Sequence, residues 1–291
     1  MKWQGREESD DVEDYRNDSG GGGLPIGGRH IGIGGIAVAL LASWAFGINP
    51  LTVLGLLDQG GSLTQGPAPQ SVPHSQPKDP AGQFTSIVFQ DTKLVWSAYF
   101  AARGQQYQTP VLALYSGQHG TGCGTGQAAM GPFYCPADRH VWIDLDFFHT
   151  LADRLGAPGE FARAYVVAHE VGHHIQNLQG TSGKMDEARQ RLSERDYNAL
   201  SVRLELQADC YAGVWAKLSQ QSAAWIEPGE VEQALNAASQ IGDDTLQKRA
   251  RGSVVPESFT HGSSAQRVRW FQRGLDAGEL KACDTFRAAS L

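Results

Sequence analysis

The run Val166-Val167-Ala168-His169-Glu170-Val171-Gly172-His173-His174-Ile175-Gln176-Asn177 contains the arrangement His169-Glu170-x-x-His173. On a helix each residue advances about 100°, so residues four apart lie within about 40° of one another. Both imidazoles can then reach one zinc ion from one helical face. Glu170 falls beside the position left open, where a carboxylate can act as general base and then as general acid. Phe161, Ala164, Tyr165, Ala168, Val171, Gly172 and Ile175 follow the 3.6-residue period, which predicts a buried helix. Pro158 and Glu160 suit its first turn and Gly180 its end. Two His and a Glu are costly to bury on an apolar helix unless they are used. One Zn2+ per chain is the expected occupant.

A catalytic zinc usually takes three protein ligands and keeps one position open. A third histidine further along the same helix is excluded, because Gln176 and Gln179 stand where the extended pattern needs Gly and His. Glu205 is the chosen third ligand. In Glu205-x-x-x-Asp209 both carboxylates face one side of the following helix, so Asp209 can accept the other ring N–H of His169 and orient it. Glu187, Glu194 and Asp209 itself are the alternatives. His174 points about 100° away from His173 and reads as a packing residue. His261, within Phe259-Thr260-His261-Gly262-Ser263, is the candidate for stabilising the oxyanion of a tetrahedral intermediate.

The 291 residues, 41% hydrophobic and 19% charged, describe a globular protein with a substantial core. The net charge of −7 is mild, and no Lys/Arg cluster suggests nucleic-acid binding. Residues 1–30 are polar and acidic and run into Gly20–Gly23, which reads as a disordered tail. Ile31–Leu57 carries no charged residue and is long enough for a single transmembrane helix, interrupted at Asn49-Pro50. Four basic residues precede it and none occurs between it and Lys78, so the positive-inside rule puts the tail in the cytoplasm and the body in the periplasm or outside the cell. A cleaved signal peptide is the competing reading. Residues 58–82, rich in Pro, Gly, Ser and Gln, read as a tether.

The folded body is expected over residues 83–291. Phe84 to Tyr99 forms a helical stripe, Val111–Tyr115 a strand, and Val141–Leu145 a strand placed to lie along the cleft and pair with an extended peptide. A long helical region is expected from about Lys184 to Leu218, then helices to about Gln240 and Arg249, and a last one from Ser263 through Phe271. Cys123, Cys135, Cys210 and Cys283 lack the spacing of a cysteine metal site. In an extracytoplasmic domain they suggest disulfides, with three pairings open; Cys123–Cys135 is the easiest, and Cys210–Cys283 would then follow.

The blocks Gly131-Pro132-Phe133-Tyr134-Cys135-Pro136, Val141 to Asp144, His169 to Gln176, Glu205 to Gly213, and His261-Gly262-Ser263 with Gln266-Arg267 together resemble the putative neutral zinc metallopeptidases, a family of membrane-anchored bacterial proteins. The resemblance covers roughly Gln83 to Cys283. It implies a zincin-type α+β fold, mainly helical with a small sheet, and glutamate as third ligand. A more distant likeness to Glu-x-x-x-Asp zinc peptidases supports Glu205 and Asp209. The expected function is a membrane-anchored zinc endopeptidase acting on a peptide or protein. The alternatives are a non-catalytic envelope protein with a structural zinc and a zinc amidase on a non-peptide substrate.

Overall fold

A computed structural model describes residues 1–16, 76–127 and 131–291. The uncharged stretch Ile31–Leu57 and most of the tether lie outside the described residues. Among those described, no helix is long and apolar enough to cross a membrane. The architecture is mostly helical with a small sheet, as expected.

The sheet has four strands: β1 (Val12–Asp14), β2 (Val111–Tyr115), β5 (Phe133–Cys135) and β6 (His140–Asp144), in the order β1-β2-β6-β5. β1, β2 and β6 are parallel, and β5 runs antiparallel to β6. A separate hairpin is formed by β3 (Gln118–Thr121) and β4 (Gly124–Gln127). Alternation sorts the strand residues: Leu112, Leu114, Val141 and Ile143 join the main core, while Ala113, Tyr115, Cys135 and Trp142 form a small second cluster. Both faces of β6 are therefore buried, which explains its continuous apolar run. Because β6 is paired on both sides, it cannot accept a peptide as the sequence suggested. The edges are β1 and β5, and β5 is the one that lines the cleft.

The helices are α1 (Pro80–Ala101), α2 (Asp146–Asp153), α3 (Glu160–Leu178), α4 (Thr181–Arg191), α5 (Glu194–Ala223), α6 (Glu230–Gln240), α7 (Asp243–Arg251) and α8 (Ser264–Ala277). α1 starts three residues before the expected body: Asp79 caps it by accepting from the Gly82 N–H, and Pro80 occupies its first turn. The helical region expected from Lys184 to Leu218 is made of two helices. Leu192 is extended, and the Ser193 hydroxyl accepts from the Asp196 N–H, starting α5 afresh. A serine cap inside a charged run leaves the apolar period almost undisturbed, so periodicity alone does not mark the break.

Glycines let the site-bearing helices approach. A Cβ at Gly172 of α3 would lie 3.0 Å from the Ala208 carbonyl oxygen of α5. One at Gly213 of α5 would lie 2.0 Å from the Phe271 oxygen of α8, and one at Gly274 of α8 would lie 1.9 Å from the Cys210 oxygen. Disulfides join Cys123 to Cys135 and Cys210 to Cys283, the second tying α5 to the C-terminal segment.

The reading of residues 1–30 as a disordered tail is corrected for residues 1–16. Val12 pairs with Leu112 in the sheet and is buried. The Met1 ammonium binds Glu160 at 2.9 Å and also Glu230. Trp3 donates its indole N–H to Glu160 at 2.8 Å and packs edge-on against Phe84, and Tyr15 stacks on Trp142. A three-residue strand is too short to show a period of two. Its four anchoring side chains are spread over fifteen residues among charges, so composition concealed them.

Candidate metal centre

α3 presents His169 and His173 on one face, and the close crossing at Gly172 brings Glu205 and Asp209 of α5 up to them. His169 Nε2 lies 3.2 Å from His173 Nε2 and 3.2 Å from a Glu205 carboxylate oxygen. The other Glu205 oxygen is 3.4 Å from His173 Nε2. Tetrahedral zinc with bonds of roughly 2.0–2.1 Å separates its ligand atoms by about 3.3 Å. The two imidazole nitrogens match that spacing and each has a Glu205 oxygen near it; one donor atom from each of the three side chains lies within 4.8 Å of the others, and among the described residues they are the one group of this kind. The nitrogen, nitrogen, oxygen set suits zinc. Glu187 and Glu194, the alternatives to Glu205, are exposed and outside the group.

The other ring nitrogens fix the tautomers. His169 Nδ1–H donates to Asp209 at 2.8 Å, and His173 Nδ1–H donates to the Gln176 side-chain oxygen at 2.9 Å. Both Nε2 atoms are thereby turned toward the shared point. Gln176 is itself oriented, because its amide donates to the Leu204 carbonyl and to Gln207. Sequence reading gave Gln176 no role, although its place one turn beyond His173 was the available signal.

Asp209 pairs with His169 and is held more firmly than spacing could reveal. Its carboxylate accepts from Arg267 Nε and Nη2, both at 2.9 Å, and from the Tyr165 hydroxyl at 2.5 Å. Arg267 reaches this spot from the start of α8, which Ser263 and Gln266 pin with a reciprocal capping box. Burial works against the Asp209 charge, but Arg267 and His169 hold the carboxyl below its usual range. Burial likewise lowers His169, but the Asp209 carboxylate outweighs it and brings the imidazole up to about 10. Glu205 is opposed by burial and held well below the usual carboxylate range by His173 and His169.

Glu170 is buried, has no hydrogen-bond partner among the described residues, and lines the cleft beside His169 and His173. Burial raises its carboxyl above the ordinary value, the direction a general base working near neutrality requires. The cleft, a cavity of about 590 Å³, runs between Tyr134 on the β5 side and Tyr197, Leu246 and His261 on helices and loops opposite. His261 is half-exposed there. Asp243 holds its loop by accepting from the Thr260, His261 and Gly262 N–H groups at 2.7, 2.6 and 3.1 Å. That carboxylate also raises the His261 imidazole above its ordinary value.

His174 is a packing residue, as expected, with a defined task. Asn177 donates to the Tyr134 hydroxyl at 2.9 Å, which donates to His174 Nδ1 at 3.0 Å. His174 Nε2–H donates in turn to the Gln108 carbonyl at 2.6 Å. This chain ties edge strand β5 to the metal helix. Burial keeps the His174 imidazole neutral, lowering it to about 4.

The family described as putative neutral zinc metallopeptidase matches residues 1–286, so its signature includes the N-terminal strand as well as the metal helices. YpfJ, an uncharacterized protein of Escherichia coli K12, is 47% identical over 98% of this chain and 99% of its own. Rv2575, an uncharacterized protein of Mycobacterium tuberculosis H37Rv, is 45% identical over 64% of this chain and 65% of its own. No solved structure matches. The chain is therefore a member of the putative neutral zinc metallopeptidase family.

Proposed function

We propose that the protein is a zinc-dependent endopeptidase of zincin type. The observation that carries this reading is the convergence of His169 Nε2 and His173 Nε2, 3.2 Å apart, on the Glu205 carboxylate, whose two oxygens lie 3.2 and 3.4 Å from them, with the Glu170 carboxylate, which has no hydrogen-bond partner among the described residues, beside it. His169, His173 and Glu205 would hold the metal. Zinc, when bound, supplies Lewis acidity that polarises a carbonyl and acidifies a water molecule. Glu170 takes one proton from the attacking water and delivers it to the departing amine nitrogen as the C–N bond breaks. The imidazole of His261 donates to the carbonyl oxygen as negative charge develops on it. The edge strand β5 offers its unpaired side, among the described residues, to an extended peptide.

Two disulfides support a body that matures in an oxidising compartment, periplasmic or outside the cell. Membrane attachment through Ile31–Leu57 is part of the proposal and rests on the absence of charge in that stretch.

The test is metal content and cleavage of an unbiased peptide library by the full chain, beside Glu170→Gln. We expect about one zinc per chain in both proteins. Cleavage should be lost on chelation and fall by at least about 100-fold in the variant. Cleavage by Glu170→Gln at the original rate would remove Glu170 from the mechanism. Zinc binding without cleavage of any library member would favour a structural zinc in a partner-binding protein.

A further inference from the structure

Residues 1–16 and the body beginning at Gln76 make one folded unit, and the uncharged stretch lies between them in sequence. We infer that the N-terminal arm and the catalytic body lie on the same side of the membrane, which excludes a single crossing between them. The inference rests on the membrane attachment proposed above and changes its geometry.

The contacts are of kinds that cannot form across a bilayer. Val12, Glu13 and Asp14 are in register with Leu112, Ala113 and Leu114. The Ser9 N–H donates to the Ser86 hydroxyl at 3.0 Å, and Asp11 is paired with Lys93 of α1. Lys2 donates its backbone N–H to the Trp225 carbonyl at 2.9 Å, and the Arg6 guanidinium lies 4.6 Å over the Trp225 ring. The two ends of the intervening segment are clasped. Arg16, the last described residue before it, bridges Asp14 and Asp79, each at 2.6 Å. Asp79 is also the cap of α1, so the point of departure and the point of return share one ion pair.

A single crossing with the N-terminus in the cytoplasm would strip this arm from a body in another compartment. It would expose the buried edge of β2 and leave Asp79 without its guanidinium. Two complete crossings need about 40 apolar residues. Ile31–Leu57 supplies 27.

The positive-inside rule argued for a crossing because Lys2, Arg6, Arg16 and Arg29 precede the stretch. Arg6 and Arg16 are spent on Trp225 and on Asp14 and Asp79. Folding thus competes directly with their retention in the cytoplasm.

The test uses the full chain in cells. Asp10→Cys on the arm and Glu257→Cys on the body are both exposed, and all four native cysteines are in disulfides. A membrane-impermeant maleimide applied to spheroplasts and to inverted vesicles should label both positions from the same side. Labelling from opposite sides would overturn the inference. Independently, a short bis-maleimide should join Asp11→Cys to Lys93→Cys within one chain. Ser9→Cys with Ser86→Cys, a buried pair, should close a disulfide and serves if loss of the ion pair weakens docking. Absence of both links in correctly folded protein would also overturn it. Membrane fractionation keeps the two readings apart: recovery in the soluble fraction would sink the membrane attachment, while the intramolecular links would still report the docked arm.

Discussion

The helix pair α3 and α5 and the loop carrying His261 meet at one cleft but are held in different ways. On the metal side the groups behind the ligands are buried and paired: Asp209 accepts from Tyr165, His169 and Arg267, and Gln176 is fixed at both ends. On the loop side one carboxylate, Asp243, gathers three backbone N–H groups, and the imidazole it supports is half-exposed. The first region is set before any substrate arrives. The second can adjust to one. Preorganisation is concentrated where error is least tolerable, since a metal site needs fixed donors while an oxyanion donor need only be in place late in the reaction.

Removing Asp209 should break the contrast most severely. Asp209→Ala leaves the Arg267 guanidinium buried and unpaired, an expected loss of about 3–5 kcal/mol. Denaturant unfolding should show it, together with weakened zinc retention. A small loss with zinc content unchanged would mean that the buried carboxylate does not organise this side.

A pH effect of about 3 kcal/mol belongs to the same rigid region. His174 titrates near 4 in the folded chain, against an ordinary value of 6.5. Its contribution is therefore fully present above pH 6.5 and is lost as pH falls toward 4, because the unfolded chain takes up the proton first. Over that window the unfolding free energy of His174→Gln should fall less steeply than that of the parent.

On the adjustable side, His261→Ala should lower kcat about 100-fold with zinc content and stability unchanged. An unaltered rate would return His261 to the role of a surface loop residue. Asp243→Asn should have the smallest effect, within about 1 kcal/mol of stability, because the amide oxygen can still accept backbone N–H groups. NMR should show the His261 titration moving to lower pH, since the charge that raises it is gone.

The sequence made the rigid side legible only as far as local spacing reaches. His169, Glu170 and His173 are bound by the helical repeat, and Glu205 with Asp209 repeats the same interval on the next long helix. Arg267 and Tyr165 reach Asp209 through the crossing of three helices, and no single-helix pattern encodes that meeting. The same reason hid Asp243 behind His261 and the role of Tyr134 in binding β5 to the metal helix. The N-terminal strand went unread because its stabilisation comes from partners about a hundred residues away, not from its own composition. By contrast Val111–Tyr115 and Val141–Leu145 were visible, because burial on both faces leaves an apolar run that needs no long-range knowledge to see.

The Arg267–Asp209 pair also has a consequence in the order of synthesis. The ligand helices emerge from the ribosome before α8 exists, so Asp209 waits for a guanidinium 58 residues downstream. Cys210 waits longer, for Cys283. A nascent chain thus carries His169, Glu170, His173 and Glu205 without the counter-charge that sets their geometry. The buried pairs behind the ligands can therefore close only after Arg267 and Cys283 have been made.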